Sequence, residues 1–312
     1  MLNKNIASKV LMIRPIRFGF NEETADSNAF QNRSDTYTSE QLQEKALNEF
    51  NHFVQILEQN GIEVIVFDDT LTPFTPDSIF PNNWFSSDSN RLLLTYPMAT
   101  KNRSLERRSD IIEKLRDSYG YELNSSLVTF ESQNKFLEGT GSLLIDHASD
   151  TTFTAISPRT NVEVLEAYSA ITGKKNISFK AFGPKGEEIY HTNVMLCIAD
   201  EFALLGLETI ALEDQKRVVL ELEKLNKEII LLTNEQVYEN FGGNMLQLQN
   251  NLGEKFLVMS SKAKNSLSRN QIEKIHSFEN KIIDVPLDII EMIGGGSARC
   301  MMAEIFTPSF NK

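Results

Sequence analysis

Short apolar runs alternate along the chain with segments in which apolar residues recur every three or four positions. Residues 10–13 form the first run, which is typical of a buried strand. A long polar stretch follows, and then residues 39–59 place six apolar side chains on one helical face, with Gly61 after the last turn. Residues 62–67 form the next apolar run. The pattern therefore predicts a strand, a helix and a second strand.

The same alternation continues to the end of the chain and predicts an α/β protein. Several neighbouring strands are joined by short turns, so the sheets are expected to be mixed rather than purely parallel. No Pro/Gly/Ser-rich linker or break in composition divides the chain, which predicts a single domain over residues 1–312. The further strands are predicted at residues 84–85, 92–96, 143–145, 153–156, 190–199, 202–205, 229–232, 245–249, 256–259, 281–285 and 300–306, and the further helices at residues 104–119, 161–172, 214–226, 234–239 and 269–278.

Composition and charge narrow the class of function. The 312 residues include 31 Lys and Arg against 43 Asp and Glu, a formal charge of −12, and 41% are hydrophobic, enough for a large core. An acidic chain is a poor partner for nucleic acid, whose backbone requires a basic face. No apolar run approaches a membrane span, and the N-terminal run is too short for a secretory signal. We expect a cytoplasmic protein with no nucleic-acid or membrane partner, either a small-molecule enzyme or a protein-binding module.

The two cysteines have different surroundings. Cys300 follows three consecutive glycines, Gly294–Gly296, whose backbone can approach a ligand closely and point N–H groups at it. A thiol at that place is a candidate nucleophile, although an isolated cysteine is also a common small core residue. Cys197 lies inside an apolar run and is predicted to be core. Neither has the spacing of a metal ligand, and no cofactor is expected.

A thiol nucleophile needs a base, and the base needs an orienting group. His191 opens the predicted strand 190–199, where alternation would project it to the same side as Asn193. Glu138 stands directly before Gly139 and Gly141, which would let the chain pack tightly around its carboxylate. A satisfied core histidine and a simple turn remain the alternatives for these two segments.

Three further segments carry polar groups suited to a substrate. Asp77 is followed by two adjacent asparagines, of which Asn83 is the second, and then by the only tryptophan of the chain. This cluster could hold an amide-like or guanidinium group, or its aromatic residues could simply dock a proline-rich loop. Arg107 and Arg108 could clamp a carboxylate, although a solvated helix face is the alternative. Residues 18–36 are long for a structureless connection, as lids and binding loops are.

Taken in chain order, these segments resemble the amidinotransferase/arginine deiminase superfamily, and within it the deiminase-like group that includes citrulline-utilisation hydrolases. The resemblance runs from Arg14 to Glu304. The motifs that carry it are Asp77 before Asn-Trp, Tyr-Pro-Met (96–98), Glu-Arg-Arg (106–108), Leu-Glu-Gly-x-Gly (137–141), His-x-Asn (191–193), Phe-Gly-Gly-Asn (241–244) and the Gly-Gly-Gly-Ser-x-Arg-Cys element ending at Cys300.

The resemblance implies a fold and a set of roles. The fold is a five-bladed α/β propeller, or pentein, of five ββαβ modules around a pseudo-fivefold axis, with the active site at its centre. Modules of about sixty residues would fill the chain. The implied roles are nucleophile for Cys300, general acid/base for His191, orienting acid for Glu138, ligand of the planar substrate head for Asp77, carboxylate clamp for Arg108 and Arg107, and looser substrate contacts for Asn83, Phe18 and Asn21.

Two departures from the arginine deiminase pattern bear on the substrate. Those enzymes have His-x-Asp where this chain has His191-x-Asn193, and Glu-Gly-Gly-Asp where it has Glu138-Gly-Thr-Gly. Both changes replace a carboxylate with a neutral group, which suits a neutral ureido head, whose oxygen an amide can bind. The expected reaction is hydrolysis of citrulline to ornithine, CO2 and ammonia, on a small-molecule amino-acid substrate. Arginine or a substituted arginine, an amidinotransferase and a non-catalytic pentein binding module remain alternatives, and a homodimer is left open.

Overall fold

The computed structural model describes residues 2–306, which form five three-stranded sheets. Every sheet has the same construction, in which the central strand pairs antiparallel with one neighbour and parallel with the other. In the last four sheets the strands follow each other in chain order, while the first sheet combines strands from both ends of the described chain. The predicted α/β class with mixed sheets is confirmed.

The fifteen strands of the described chain are β1 (Lys9–Arg14), β2 (Glu63–Asp68), β3 (Phe85–Ser87), β4 (Leu92–Thr95), β5 (Glu122–Asn124), β6 (Leu143–Asp146), β7 (Thr151–Ile156), β8 (Lys175–Lys180), β9 (Leu196–Ile198), β10 (Phe202–Leu205), β11 (Glu228–Leu231), β12 (Leu246–Gln249), β13 (Lys255–Ser260), β14 (Asn280–Val285) and β15 (Ala303–Ile305). The sheet orders are β15-β1-β2, β3-β4-β5, β6-β7-β8, β9-β10-β11 and β12-β13-β14.

Helices connect the parallel pair of each sheet, as a parallel crossover requires. The α-helices of the described chain are α1 (Ser39–Gln59), α2 (Lys101–Ser104), α3 (Ser109–Tyr119), α4 (Gly139–Ser142), α5 (Val162–Thr172), α6 (Leu212–Lys224), α7 (Asn234–Tyr238), α8 (Ser261–Ser266), α9 (Arg269–Ser277) and α10 (Asp288–Gly294), and α4, α7 and α10 lie outside these connections. Of these, α1 is the longest and links β1 to β2. Its start is fixed by a capping box between Thr38 and Gln41, and Phe50, Phe53 and Leu57 bury its apolar face in the core.

Polar contacts join neighbouring sheets. The Ser87 hydroxyl at the end of β3 donates to the Glu304 carbonyl of β15 at 2.8 Å, and the Asp200 N–H after β9 donates to Gln247 of β12 at 2.7 Å. The buried Lys227 ammonium before β11 donates to Asp146 of β6 at 2.8 Å. Hydrogen bonds thus tie these sheets together in addition to apolar packing.

Two sequence predictions for secondary structure are wrong in ways that bear on function. The predicted strand 190–199 is a 3-10 turn at Thr192–Val194 followed by the short strand β9, so His191 does not lie in a strand. The predicted helix 104–119 is two helices, α2 and α3, separated by residues 105–108.

Cys197 is in the core as predicted, and burial raises its pKa to about 12. Among residues 2–306, no helix has both the length and the apolar character needed to cross a bilayer.

Candidate active site

The candidate catalytic residues lie on turns that precede the strand that pairs antiparallel with the central strand of a sheet. Glu138 directly precedes α4 and β6, His191 directly precedes the 3-10 turn before β9, and Cys300 lies three residues before β15. Asp77 precedes the 3-10 turn that leads into β3. These turns meet at a small cavity of about 20 Å³, whose lining includes Asp77, His191 and Cys300. The structure therefore brings together side chains that are separated by more than two hundred residues in sequence.

His191 and Glu138 form a buried pair beside the cavity. Nε2 of His191 lies 2.7 Å from Oε2 of Glu138, whose other oxygen accepts the Ala99 N–H at 2.9 Å. Burial alone would raise the pKa of Glu138, but Arg159, the hydrogen bond from His191 and Arg103 together hold it below its usual range. Because an ionised carboxylate only accepts hydrogen bonds, Nε2 carries the proton and donates.

Burial lowers the pKa of His191, and the nearby Arg159 and Arg103 cations act in the same direction, while the hydrogen bond and charge of Glu138 oppose them. The imidazole is therefore neutral near pH 7, and its Nδ1 is unprotonated. Nδ1 lies so close to Gly141 that a Cβ at that position would be 2.9 Å away. Gly141, three residues after Glu138, thus makes room for the ring, which gives the second glycine of the Glu-Gly-x-Gly pattern a physical reason.

The Cys300 sulfur lies between two asparagine amides. Nδ2 of Asn193 is 3.4 Å from Sγ and Nδ2 of Asn244 is 3.2 Å from it, and the cysteine is 7% exposed. The glycines before it are needed for close packing, since a Cβ at Gly294 or Gly296 would lie 2.8 Å from the Phe80 ring. A buried sulfur with amide donors on two sides is a suitable environment for a charged thiolate.

Asp77 and Asn83 present unpaired polar atoms beside this cavity. Oδ2 of Asp77 accepts from Asn21 at 2.7 Å, while its Oδ1 is buried and has no hydrogen-bond partner among residues 2–306. Asn83 Oδ1 accepts from Arg103 Nη1 at 2.9 Å, which leaves its buried Nδ2 without a partner in the same part of the chain. Burial raises the pKa of Asp77, and the nearby Arg103 opposes this. One free acceptor and one free donor thus border the cavity.

The structure does not bring Arg107 and Arg108 to the cavity. Arg107 Nη2 donates to Glu131 at 2.9 Å, and Arg108 Nε donates to Asp110 at 3.0 Å. Both residues fall in the break between α2 and α3, which turns their side chains to these partners.

Two other arginines line the cavity and were not identified from the sequence. Arg103 pairs with the buried Glu106 at 2.9 Å, and Arg159 contacts Glu138 at 3.4 Å. Arg103 lies four residues before Arg107, in the arginine-rich segment from which Arg107 and Arg108 were predicted. The sequence therefore indicated the segment but not which of its arginines lines the cavity. Arg159 follows the apolar run 153–156, and nothing in its local sequence marks it as a site residue.

The predicted loop 18–36 contains no helix or strand and covers the cavity. Asn28 Nδ2 donates to the Gly294 carbonyl at 3.1 Å and its Oδ1 accepts from the Tyr190 hydroxyl at 2.9 Å. Phe18 is buried near Gly294, and Asn21 contacts Asp77. A second cavity of about 700 Å³ is also lined by Tyr190 and by Phe30 of the same loop. The loop therefore contributes to the lining of both cavities, through Asn28 in the small one and Phe30 in the large one.

Comparison with known proteins gives a family. The family model for "N,N dimethylarginine dimethylhydrolase, eukaryotic" matches residues 14–307, nearly the whole chain. The chain belongs to this family. No curated protein matches it in sequence. Membership of the dimethylarginine dimethylhydrolase family confirms the predicted superfamily and the predicted class of enzyme, a hydrolase acting on C–N bonds other than peptide bonds.

Solved structures of low sequence identity share the fold. The N-terminal domain of ArgZ, an arginine dihydrolase from the ornithine–ammonia cycle in cyanobacteria, solved as a cysteine-to-serine mutant with substrate, superposes with a TM-score of 0.74 at 16% identity, covering 96% of this chain and 98% of that one. AgrE with L-arginine gives 0.73 at 14%, covering 97% and 41%. DDAH from Pseudomonas aeruginosa with citrulline gives 0.67 at 17%, covering 96% and 100%.

Proposed function

We propose that the protein is a cysteine-dependent hydrolase that cleaves the planar ureido or guanidino head of an amino acid, with citrulline as the preferred substrate and ornithine, CO2 and ammonia as products. The observation that carries this proposal is the convergence of Cys300, the His191–Glu138 pair and Asp77 on one buried cavity. The family to which the chain belongs supports the reaction class.

The chemistry follows from those groups. The Cys300 thiol gives its proton to Nδ1 of the neutral His191, and the resulting thiolate attacks the ureido carbon and forms a C–S bond, which replaces one difficult displacement with two easier steps. His191 protonates the departing nitrogen, the C–N bond breaks, and ammonia leaves. Water then attacks the thiocarbamate carbon while His191 accepts its proton, and the C–S bond breaks. The carbamic acid released in this step loses CO2 to give the amine, so one citrulline and one water yield ornithine, CO2 and ammonia.

The unpaired atoms at the cavity favour a ureido head. Asn83 Nδ2 is held as a donor because Arg103 occupies its Oδ1. A ureido oxygen can accept from that donor, while a guanidinium has only donors and would leave it unsatisfied, at a cost of about 1–3 kcal/mol. Asp77 Oδ1 would accept a ureido N–H. The neutral Asn193, in place of the carboxylate of arginine deiminases, supports the same choice.

Arginine is the second candidate. The unpaired carboxylate oxygen of Asp77 would also accept from a guanidinium, with a stronger charge-assisted bond. Structures of an arginine dihydrolase share the fold of this chain. Two successive hydrolyses at the same thiol would convert arginine with two waters to ornithine, CO2 and two ammonia, with the ureido compound as the intermediate.

Two further elements belong to the proposal. The repeated sheet construction and the hydrogen bonds between sheets support closure of the five sheets into the propeller around this cavity, with residues 1–312 acting as a single domain. The cavity of about 20 Å³ that Cys300 and His191 line admits little more than one water molecule. The loop 18–36 therefore opens to admit an amino acid. A homodimer stays a prediction.

Ammonia release and adduct trapping test the function. The protein is incubated with citrulline and with arginine, ammonia and ornithine are quantified, and intact mass is measured after acid quench. We expect ornithine from citrulline and a covalent adduct on Cys300 that is absent in Cys300→Ser. Cys197→Ala, which removes the other thiol from the core, serves as the matched control and should keep both signals. Lack of any adduct or product with both compounds would refute the proposal, and a clear preference for arginine would replace citrulline with the second candidate.

A further inference from the structure

Five turns precede the strands that pair antiparallel with the central strands of the five sheets, and four of these turns supply residues to the proposed reaction. These four carry Asp77 and Asn83 before β3, Glu138 before β6, His191 and Asn193 before β9, and Cys300 before β15. The remaining turn, residues 241–244 before β12, is the Phe-Gly-Gly-Asn element, and it places Asn244 against the Cys300 sulfur but has no part in the reaction proposed above. We propose that Asn244 is a further catalytic residue, which donates an amide N–H to the Cys300 sulfur and stabilises its thiolate; this inference rests on the proposed function.

The Asn244 side-chain amide contacts both the backbone N–H and the sulfur of Cys300. Its Oδ1 accepts the backbone N–H of Cys300 at 3.4 Å, and its Nδ2 lies 3.2 Å from Sγ and 3.3 Å from the Asn193 carbonyl oxygen. Because a backbone N–H can only donate and a carbonyl can only accept, these partners fix which end of the amide is the oxygen. Nδ2 is therefore the end of the Asn244 amide that faces the sulfur. This orientation follows from the two backbone partners alone, whether Cys300 is a thiol or a thiolate.

The local backbone explains how the turn reaches the sulfur. Phe241 adopts a left-handed conformation, with φ of 55°, and its carbonyl accepts the Asn244 N–H at 2.9 Å. A Cβ at Gly243 would lie 2.4 Å from the Val194 carbonyl oxygen, so only glycine lets this turn pack against the turn that carries Asn193. A non-glycine residue in the left-handed region costs free energy and is retained where the surrounding structure requires it. The strained turn positions Asn244, which is 2% exposed, against Cys300.

The chemical consequence is selective stabilisation of the charged sulfur. Hydrogen bonds to an ionised acceptor are about twice as strong as bonds between neutral groups. The Asn244 N–H therefore favours thiolate over thiol, both before attack and when the C–S bond breaks and the sulfur leaves. Asn193 also donates to Sγ, at 3.4 Å, but it borders the substrate head in the proposed complex. Asn244 contacts the sulfur from a separate turn and is therefore expected to act mainly on the thiol.

Alkylation of the free protein tests this role without depending on the identity of the substrate. The rate of iodoacetamide modification of Cys300, followed by peptide mass spectrometry, is measured against pH for the wild type, Asn244→Ala and the near-isosteric Asn244→Asp. We expect the midpoint of the profile to rise by about one to two pH units in both variants. Asn240→Ala, in the same segment with its side chain bonded to the Glu235 carbonyl, is the control and should match the wild type.

Turnover gives the second readout. In Asn244→Ala, kcat on the accepted substrate should fall about 10- to 100-fold with KM changed less than about threefold. Thermal denaturation of each variant shows whether it folds, and Asn244→Asp keeps the test available if the alanine variant does not. A wild-type alkylation profile in folded Asn244→Ala or Asn244→Asp would overturn the inference, even if stability fell. A shifted profile in a protein without hydrolase activity would support the role of Asn244 while refuting the proposed function.

Discussion

Replacing Asp77 with asparagine separates the two candidate substrates. The side chain is 3% exposed, its Oδ2 is occupied by Asn21, and its Oδ1 is the unpaired atom beside the cavity. Since the Asn21 amide donates to one position, the oxygen of the substituted side chain is expected there, and its NH2 group would face the substrate. The change therefore removes a charge and turns an acceptor toward the substrate into a donor.

The size of the effect depends on the charge of the substrate. For a guanidinium, losing a desolvated ion pair costs about 2–5 kcal/mol, which corresponds to a fall in kcat/KM of roughly 30- to 5000-fold. For a neutral ureido group the loss is one hydrogen bond to a charged acceptor, about 1.5–3 kcal/mol, or roughly 13- to 160-fold. Arg103 retains its bidentate partner Glu106, so the fold is expected to survive.

The assay compares kcat/KM for citrulline and arginine in Asp77→Asn and the wild type, with ammonia release as the signal. We expect the arginine-to-citrulline ratio to fall about tenfold. Asp110→Asn, which removes an exposed carboxylate bonded to Arg108, is the control and should leave the ratio unchanged. An equal loss for both substrates would show that Asp77 does not distinguish their charge, and the reasoning about the unpaired oxygen would be refuted.

Three other outcomes are expected. Glu138→Gln weakens a charge-assisted bond to His191 and should lower kcat about 10- to 150-fold, measured by steady-state kinetics, and an unchanged kcat would contradict the orienting role. Gly141→Ala places a methyl group 2.9 Å from His191 Nδ1 and should reduce kcat at least about tenfold, while Gly19→Ala, whose added carbon meets no atom within 4 Å, should not. Burial raises the pKa of Glu49, which accepts two N–H groups at the start of α10, to about 7, so its carboxyl contributes stability below its unfolded pKa that is lost as pH rises through about 7. The unfolding free energy of Glu49→Gln relative to wild type should therefore increase by about 1–3 kcal/mol between pH 5 and pH 8 in denaturant melts, and a constant difference would contradict this.

Periodicity located most elements, because the buried positions of amphipathic helices and short core strands are set by local sequence. The bounds predicted for α1, residues 39–59, agree with the structure. The strands predicted at residues 92–96, 143–145 and 256–259 correspond to β4, β6 and β13, and each predicted end differs from the observed one by at most one residue. The error at residues 190–199 has a tertiary cause. Residues 190–199 are nearly all buried, as in a core strand, but the chain turns at Thr192–Val194 so that His191 can reach Glu138.

Site residues were predictable where a motif marked them and not where only tertiary structure did. Cys300, His191 and Glu138 stood beside glycines or in a recognisable spacing, and the structure brings them together. Arg159 reaches Glu138 from a segment with no such mark, and Asn244 gains its contact with the sulfur only because Gly243 lets two turns touch. Patterns in a single sequence predict local structure, such as a helix face or a glycine turn. The contacts of Arg159 and Asn244 instead depend on how turns that are far apart in the sequence pack together.

The first sheet joins β15 to β1, so a strand near the end of the chain pairs with one near its beginning. Cys300 stands three residues ahead of that pairing. During synthesis, the sulfur and the strand that completes this sheet emerge from the ribosome after all the strands of the other four sheets. An interrupted translation product would therefore lack the thiol and would also expose one edge of β1. The proposed nucleophile and the strand that completes the first sheet are therefore added at the same stage of synthesis.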